Sequence, residues 1–185
     1  MAKKESNYYE WDGFMTKQEQ DNMVDFIMYL YEGYEKWCKA PLKKDKDRYI
    51  YHVLYLAVRD VTRIIGESKN LKISEKARKL LKVDETTTYR GLLNSIRANP
   101  RQTVKEHYKP ADDHFFEQFR ECCNNGKPFT REQARKWLND AVIAIITKNE
   151  DEALTKKGFG KKRPDPAEAY TSAGIEVKHF TPAKR

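Results

Sequence analysis

The sequence holds only three cysteines, and Cys122 and Cys123 are neighbours, so a bridge between them would be strained. An odd count with an adjacent pair is no disulfide framework, and reduced thiols in a cytoplasmic setting are the expectation. No run of about eighteen apolar residues occurs, and the opening Met1–Trp11 stretch has no apolar segment behind its lysines. Neither a membrane span nor a secretory leader is expected. HExxH and CxxC pairs are absent, and Gly158-Phe159-Gly160-Lys161-Lys162 lacks the glycine spacing and the preceding strand of a phosphate-binding loop. No cofactor and no bound metal are expected. Internal repeats and convincing period-two alternation are missing as well, which leaves helix as the structural expectation.

What is present fits that expectation. The 185 residues suffice for one domain with a real core, and 39% hydrophobic against 35% charged residues describe a polar chain that still folds. Thr16 and Glu19 have capping-box spacing, and Met23, Phe26, Ile27, Leu30, Tyr34 and Trp37 follow at three- and four-residue steps. After Pro41 and a lysine-rich link, a second helix is predicted from Asp45 or Asp47 to about Gly66. Its apolar face is Ile50, Val53, Leu54, Ala57, Val61, Ile64 and Ile65, and the short link makes the pair antiparallel. Shorter helices are predicted after Ser74 and around Leu92, then from Asp112 to Cys123 and from Thr130 to about Leu154. The reading is an all-α fold: one helical bundle of about five to six helices over 16–154. An aromatic N-terminal extension, 1–15, bears Tyr8, Tyr9, Trp11 and Phe14 and is expected to dock on the bundle. The segment 155–185, punctuated by glycine and proline, is expected to be an irregular basic tail.

The formal charge is +8. From Thr155 onward eight basic residues face three acidic ones, so five of the eight excess charges lie in the tail, with Lys161, Lys162 and Arg163 as its densest cluster. An anionic partner is the natural one. A second basic feature is the outer face of the second helix, where Arg48, His52, Tyr55, Arg59 and Arg63 fall at helical steps suited to a phosphate backbone. A third is Ile73–Arg90, which resembles a DNA-binding helix-turn-helix with Thr87, Thr88 and Arg90 opening its second helix. It departs from that pattern where Lys82 replaces the usual turn glycine and Thr88 a buried apolar residue.

Catalytic candidates are thinner. Arg101 and His107 have the spacing of the HEPN ribonucleases, a resemblance that implies an all-helical site acting on a ribose hydroxyl and phosphate. Gln102 stands where Asn, Asp or His is usual after the arginine. His114, Glu117 and Glu121 share a helical face but have no second half-site for a metal. The leading expectation is a non-catalytic module that engages nucleic acid or a nucleoprotein through its basic helix face and tail. The alternatives are a structural or inhibitory protein-interaction subunit of a larger assembly, or of a homo-oligomer, whose tail docks on a neighbouring protein, and the HEPN-like ribonuclease.

Overall fold

The computed structural model describes residues 15–38, 44–160 and 162–183, with side chains except at 44–49 and 112–113. The aromatic extension, the Arg48 side chain and Lys161 lie outside that set. Thr16 and Glu19 form the capping box read from the sequence, the Glu19 carboxylate accepting from the Thr16 amide at 2.7 Å and the Thr16 hydroxyl from the Glu19 amide at 3.2 Å. Helix α1 (Lys17–Cys38) follows and buries Val24, Ile27, Leu30, Tyr31 and Tyr34. Helix α2 (Lys44–Lys69) returns beside it with Val58, Val61 and Ile65 buried. Lys69 at its end donates to Gln20 at the start of α1, which fixes the pair as antiparallel.

These helices enclose an aromatic core with a π-helical segment (Asp112–Phe116), helix α5 (Glu117–Asn124) and helix α6 (Arg131–Asp140). Phe119 stacks on Trp137 with centroids 5.0 Å apart, and Tyr34 meets Phe116 edge-on at 5.2 Å. Trp137 is wholly buried yet satisfied, its indole donating to Gln118 at 3.0 Å.

The all-α expectation is wrong, because the helices pack beside a four-stranded mixed sheet, giving an α/β fold. Strands β1 (Leu71–Ser74), β2 (Thr103–His107), β3 (Ile143–Thr147) and β4 (Val177–His179) lie in the order β2-β3-β1-β4. β1 and β3 are parallel, with Leu71 opposite Ile143 and Ile73 opposite Ile145; both outer pairings are antiparallel. The helix expected to run from Thr130 to Leu154 is therefore two helices, α6 and α7 (Lys148–Lys156), with β3 between them. Ile143–Ile146 is apolar throughout because β3 is buried on both faces, and such a strand shows no alternation.

The period-two geometry then divides the core. Leu71, Ile73, Ile143 and Ile145 face helices α3 (Glu75–Leu81) and α4 (Tyr89–Ala98), which contribute Ala77, Leu81 and Leu92. Ala144 and Ile146 face α7 and α8 (Pro166–Ser172), which contribute Leu154, Ala169 and Tyr170. Helix α2 crosses β3 so closely that a Cβ on Gly66 would lie 2.8 Å from Ile143 Cγ1 and 3.0 Å from its backbone nitrogen.

The expectation of an irregular tail is also corrected. Residues 155–185 include α8 and β4, and Phe180 is buried among the sheet residues with its amide bonded to the Leu71 carbonyl. The anchor is Arg163, only 5% exposed, which donates to the carbonyls of Phe159 and His107 at 2.7 Å each and pairs with Glu106. Burial pushes the Glu106 carboxyl up while Arg163 pulls it down, and Tyr170 donates to the same carboxylate. No helix among the described residues is long and apolar enough to cross a membrane.

Candidate nucleic-acid interface

Parallel strands that send their helices to opposite faces of a sheet leave a crevice at their carboxyl ends, where α/β proteins commonly take anionic ligands. Here α3 leaves β1 toward one face and α7 leaves β3 toward the other. The crevice is filled by the chain itself. The buried Glu150 carboxylate accepts from the Ser74 hydroxyl at 2.6 Å, from the Thr147 amide at 2.8 Å and from the Thr147 hydroxyl at 2.9 Å. Ser74 and Thr147 in turn cap α3 and α7. The candidate surface lies instead along the side of the sheet formed by β2.

Glu67 on α2 organises that surface. Its carboxylate accepts from Lys105 of β2 at 2.9 Å and from the Tyr89 hydroxyl at the start of α4, and Arg63 approaches it at 4.0 Å. Burial, with the Glu67 carboxylate as the next cause, pushes the Tyr89 hydroxyl far up, so it remains a donor. Arg59 and Arg63 both approach Asp60, at 3.5 and 3.7 Å, and each remains nearly half exposed. Two basic features of the sequence thus become neighbours, because Tyr89 joins the start of α4, where Arg90 is exposed, to the flank of α2.

His107 secures the seam between α2 and β2. Its Nε2 lies 3.0 Å from the Arg59 carbonyl and 3.1 Å from the Thr62 hydroxyl. The carbonyl can only accept, so Nε2 carries the proton. Burial is the main cause that lowers the imidazole pKa to about 4, the nearby Arg59 and Arg63 charges add to it, and the ring is neutral near pH 7.

The remaining candidates take varied places. His52 is exposed on α2, and Tyr55 is half-buried against the edge of Phe116. Thr88 caps α4 through the Gly91 amide, and the Thr87 hydroxyl is engaged with Asp84. The tail covers this turn, with Ala183 bonded to the Thr87 carbonyl and bridged to Thr88. Lys82, where the helix-turn-helix pattern has glycine, adopts the left-handed conformation as the C-cap of α3. That pair of helices covers a sheet. Arg163 is an internal clamp, whereas Lys162 is exposed at a cleft of about 600 Å³ that Lys109, His114 and Glu117 also line.

Arg101 occupies a left-handed turn and His107 the far end of β2, so the helical context implied by the HEPN resemblance is absent. His114 approaches Asp140 at 3.4 Å, and burial chiefly holds its pKa below the usual value. Glu121 is exposed and Cys122 buried, and no group of three or more potential metal ligands occurs among the described residues.

Sequence reasoning missed Arg97, Arg101 and Lys105 as parts of a basic surface. The clue is that the twenty residues from Thr86 to Lys105 contain no acid and four cations, Arg90, Arg97, Arg101 and Lys105. On α4 the exposed Arg90, Asn94 and Arg97 recur at four- and three-residue steps, placing the two arginines on one side about 10 Å apart along the axis. No protein-family profile, no curated protein and no solved structure matches the chain.

Proposed function

We propose that this protein is a non-catalytic module that binds the phosphate backbone of nucleic acid along the side of its sheet formed by β2. The observation that carries the reading is the meeting at Glu67 of Arg63 from α2 and Lys105 from β2 with the hydroxyl of Tyr89, the residue that opens the acid-free α4 bearing the exposed Arg90 and Arg97. Guanidinium groups suit this role because they remain charged and bond phosphate oxygens in pairs. Asp60 and Glu67 hold the cations in place and reduce the net charge without reversing it. Such a surface reads backbone charge and geometry, so affinity is expected to be modest in sequence preference and steep in salt dependence.

The test is fluorescence anisotropy with labelled duplex DNA, single-stranded DNA and RNA over a salt series. Wild type is compared with Arg59→Gln/Arg63→Gln and with Arg90→Gln/Arg97→Gln. For each duplex phosphate that a variant fails to neutralise, the slope of log affinity against log salt is expected to flatten by about 0.9. Binding that ignores salt, or that both double variants retain in full, would overturn the proposal. Truncation after Leu154 would not be a clean probe, because it removes α8, β4 and the Arg163 clamp together.

A further inference from the structure

The cleft of about 600 Å³ between the end of β2 and the segment leading into α8 stands apart from the basic surface, since none of Arg59, Arg63, Arg90, Arg97 or Lys105 lines it. Its volume falls in the range of roughly 300 to 1,000 Å³ that small-molecule sites occupy. Lys109 and Pro110 enter it just after β2, His114 from the π-helical segment, and Lys162 with Pro164 and Pro166 from the chain that opens α8.

The buried clamp holds these distant pieces together. Arg163 donates to the His107 carbonyl at 2.7 Å, which brings its neighbour Lys162 to the same cleft as Lys109, two residues beyond His107. The three prolines have fixed φ and no backbone donor, so the walls are stiff and charge must be met by side chains. A cleft built in advance lowers the ordering cost of binding. The π-helical segment is an independent observation, because such turns are rare and recur at functional sites. It buries Phe115 and Phe116 completely while His114 lines the cleft.

Charge selects the ligand. Glu117 on the cleft wall is paired with Arg120, and Arg163 with Glu106. Asp165 is turned to its own helix, where it accepts from the Glu168 amide at 3.1 Å. Lys109 lies 3.6 Å from Asp140, a carboxylate that it shares with His114. Lys162 is exposed and makes no ion pair with a described residue. The lining residues therefore leave an excess of ammonium charge. Lysine is a common phosphate ligand, acting as a point charge, and a phosphate monoester carries nearly two negative charges at pH 7. Burial first, then the Lys109 charge, hold the His114 pKa below its ordinary value, so the ring is neutral near pH 7. With its Nε2 proton directed at Asp140, Nδ1 is an acceptor suited to a hydroxyl.

We propose that this cleft binds a small phosphorylated organic molecule, its phosphate at Lys109 and Lys162 and its apolar body against Pro110, Pro164 and Pro166.

The experiment is titration of the isotope-labelled full chain with AMP and with ribose 5-phosphate, followed by amide chemical shifts, with adenosine as the uncharged counterpart. The phosphates are expected to shift the amides of Lys109, His114 and Lys162 saturably, and adenosine is not. Lys162→Gln should weaken binding about tenfold, the scale of one bond to a charged group, and Lys109→Gln/Lys162→Gln should abolish it. Lys162→Gln is the cleaner variant, since it removes no ion pair within the described chain. Arg59→Gln/Arg63→Gln should leave the phosphate titration unchanged, so this site and the nucleic-acid surface fail separately. Three results would overturn the proposal: no shift from either phosphate up to about 5 mM, equal binding of adenosine, or full binding by the double lysine variant.

Discussion

Acidification is expected to loosen the seam between α2 and β2 through His107. The ring is partly buried, and Nε2–H reaches the Arg59 carbonyl and the Thr62 hydroxyl. Thr62 donates its own hydrogen to the Val58 carbonyl at 2.9 Å, so the local bonding is complete with a neutral ring. The pKa of about 4 in the folded chain lies below the ordinary imidazole value of 6.5. Between these values the unfolded chain binds the proton and the folded chain does not. Stability is therefore full above pH 6.5 and falls as the pH drops toward 4. From pH 7.5 to pH 5 this linkage amounts to about 2 kcal/mol. For a chain of this length that corresponds to roughly 4 to 8 °C in the thermal midpoint. Urea unfolding at the two pH values, on wild type and His107→Gln, isolates the effect. The glutamine amide still donates but does not titrate, and carboxylates and His114 contribute equally to both proteins. The wild type should lose about 2 kcal/mol more than the variant. Equal losses in the two proteins would refute the assignment of that stability to His107.

Two further substitutions test how the sheet is tied to the rest of the fold. Gly66→Ala places a methyl group 2.8 Å from Ile143 Cγ1 and within 3.1 Å of backbone atoms, so it should cost about 1 to 3 kcal/mol as overpacking, read as a lower urea midpoint at unchanged slope. Gly33→Ala, which meets no such obstacle, serves as the control in the same assay. Arg163→Ala leaves the largely buried Glu106 carboxylate without its cation and with only the Tyr170 hydroxyl, and should destabilise by about 3 to 5 kcal/mol. Hydrogen exchange should then show α8 and β4 losing protection first, and loss confined to α1 and α2 would contradict the clamp.

Much of the helical half of the fold was legible because its signals are local. Thr16 with Glu19, and Thr130 with Gln133, form the capping boxes that their spacing announces. The apolar stripes of α1 and α2 mark the buried faces. The sheet was not legible. β1 has four residues and β4 three, too few to show a period, and β3 is apolar on both faces. A local clue to the break after β3 was present in Thr147 and Glu150, whose capping box starts a new helix at the point where one continuous helix was expected. For the candidate site, the helical row of Arg59 and Arg63 was visible along the chain. Its meeting with Lys105 and Arg90 depends on Glu67, which bonds Lys105 and Tyr89 across 38 and 22 residues of sequence. Arg163 was misplaced for the same kind of reason: nothing in Lys161-Lys162-Arg163 tells which cation turns inward.

By itself, then, the sequence determined what depends on near neighbours: the caps, the helical stripes, the unsuitability of three cysteines as a disulfide framework, and the net positive charge. The tertiary structure decided what depends on distant pairs. It chose strand over helix for Ile143–Thr147, because hydrogen bonds from β1 and β2 become possible only once those segments lie alongside. It brought the C-terminal segment into the core, because Glu106 and the His107 carbonyl offer Arg163 partners that no solvated arm would have. It separated a structural cation from exposed ones, since desolvation and pairing are properties of a position in space and not of a place in the chain.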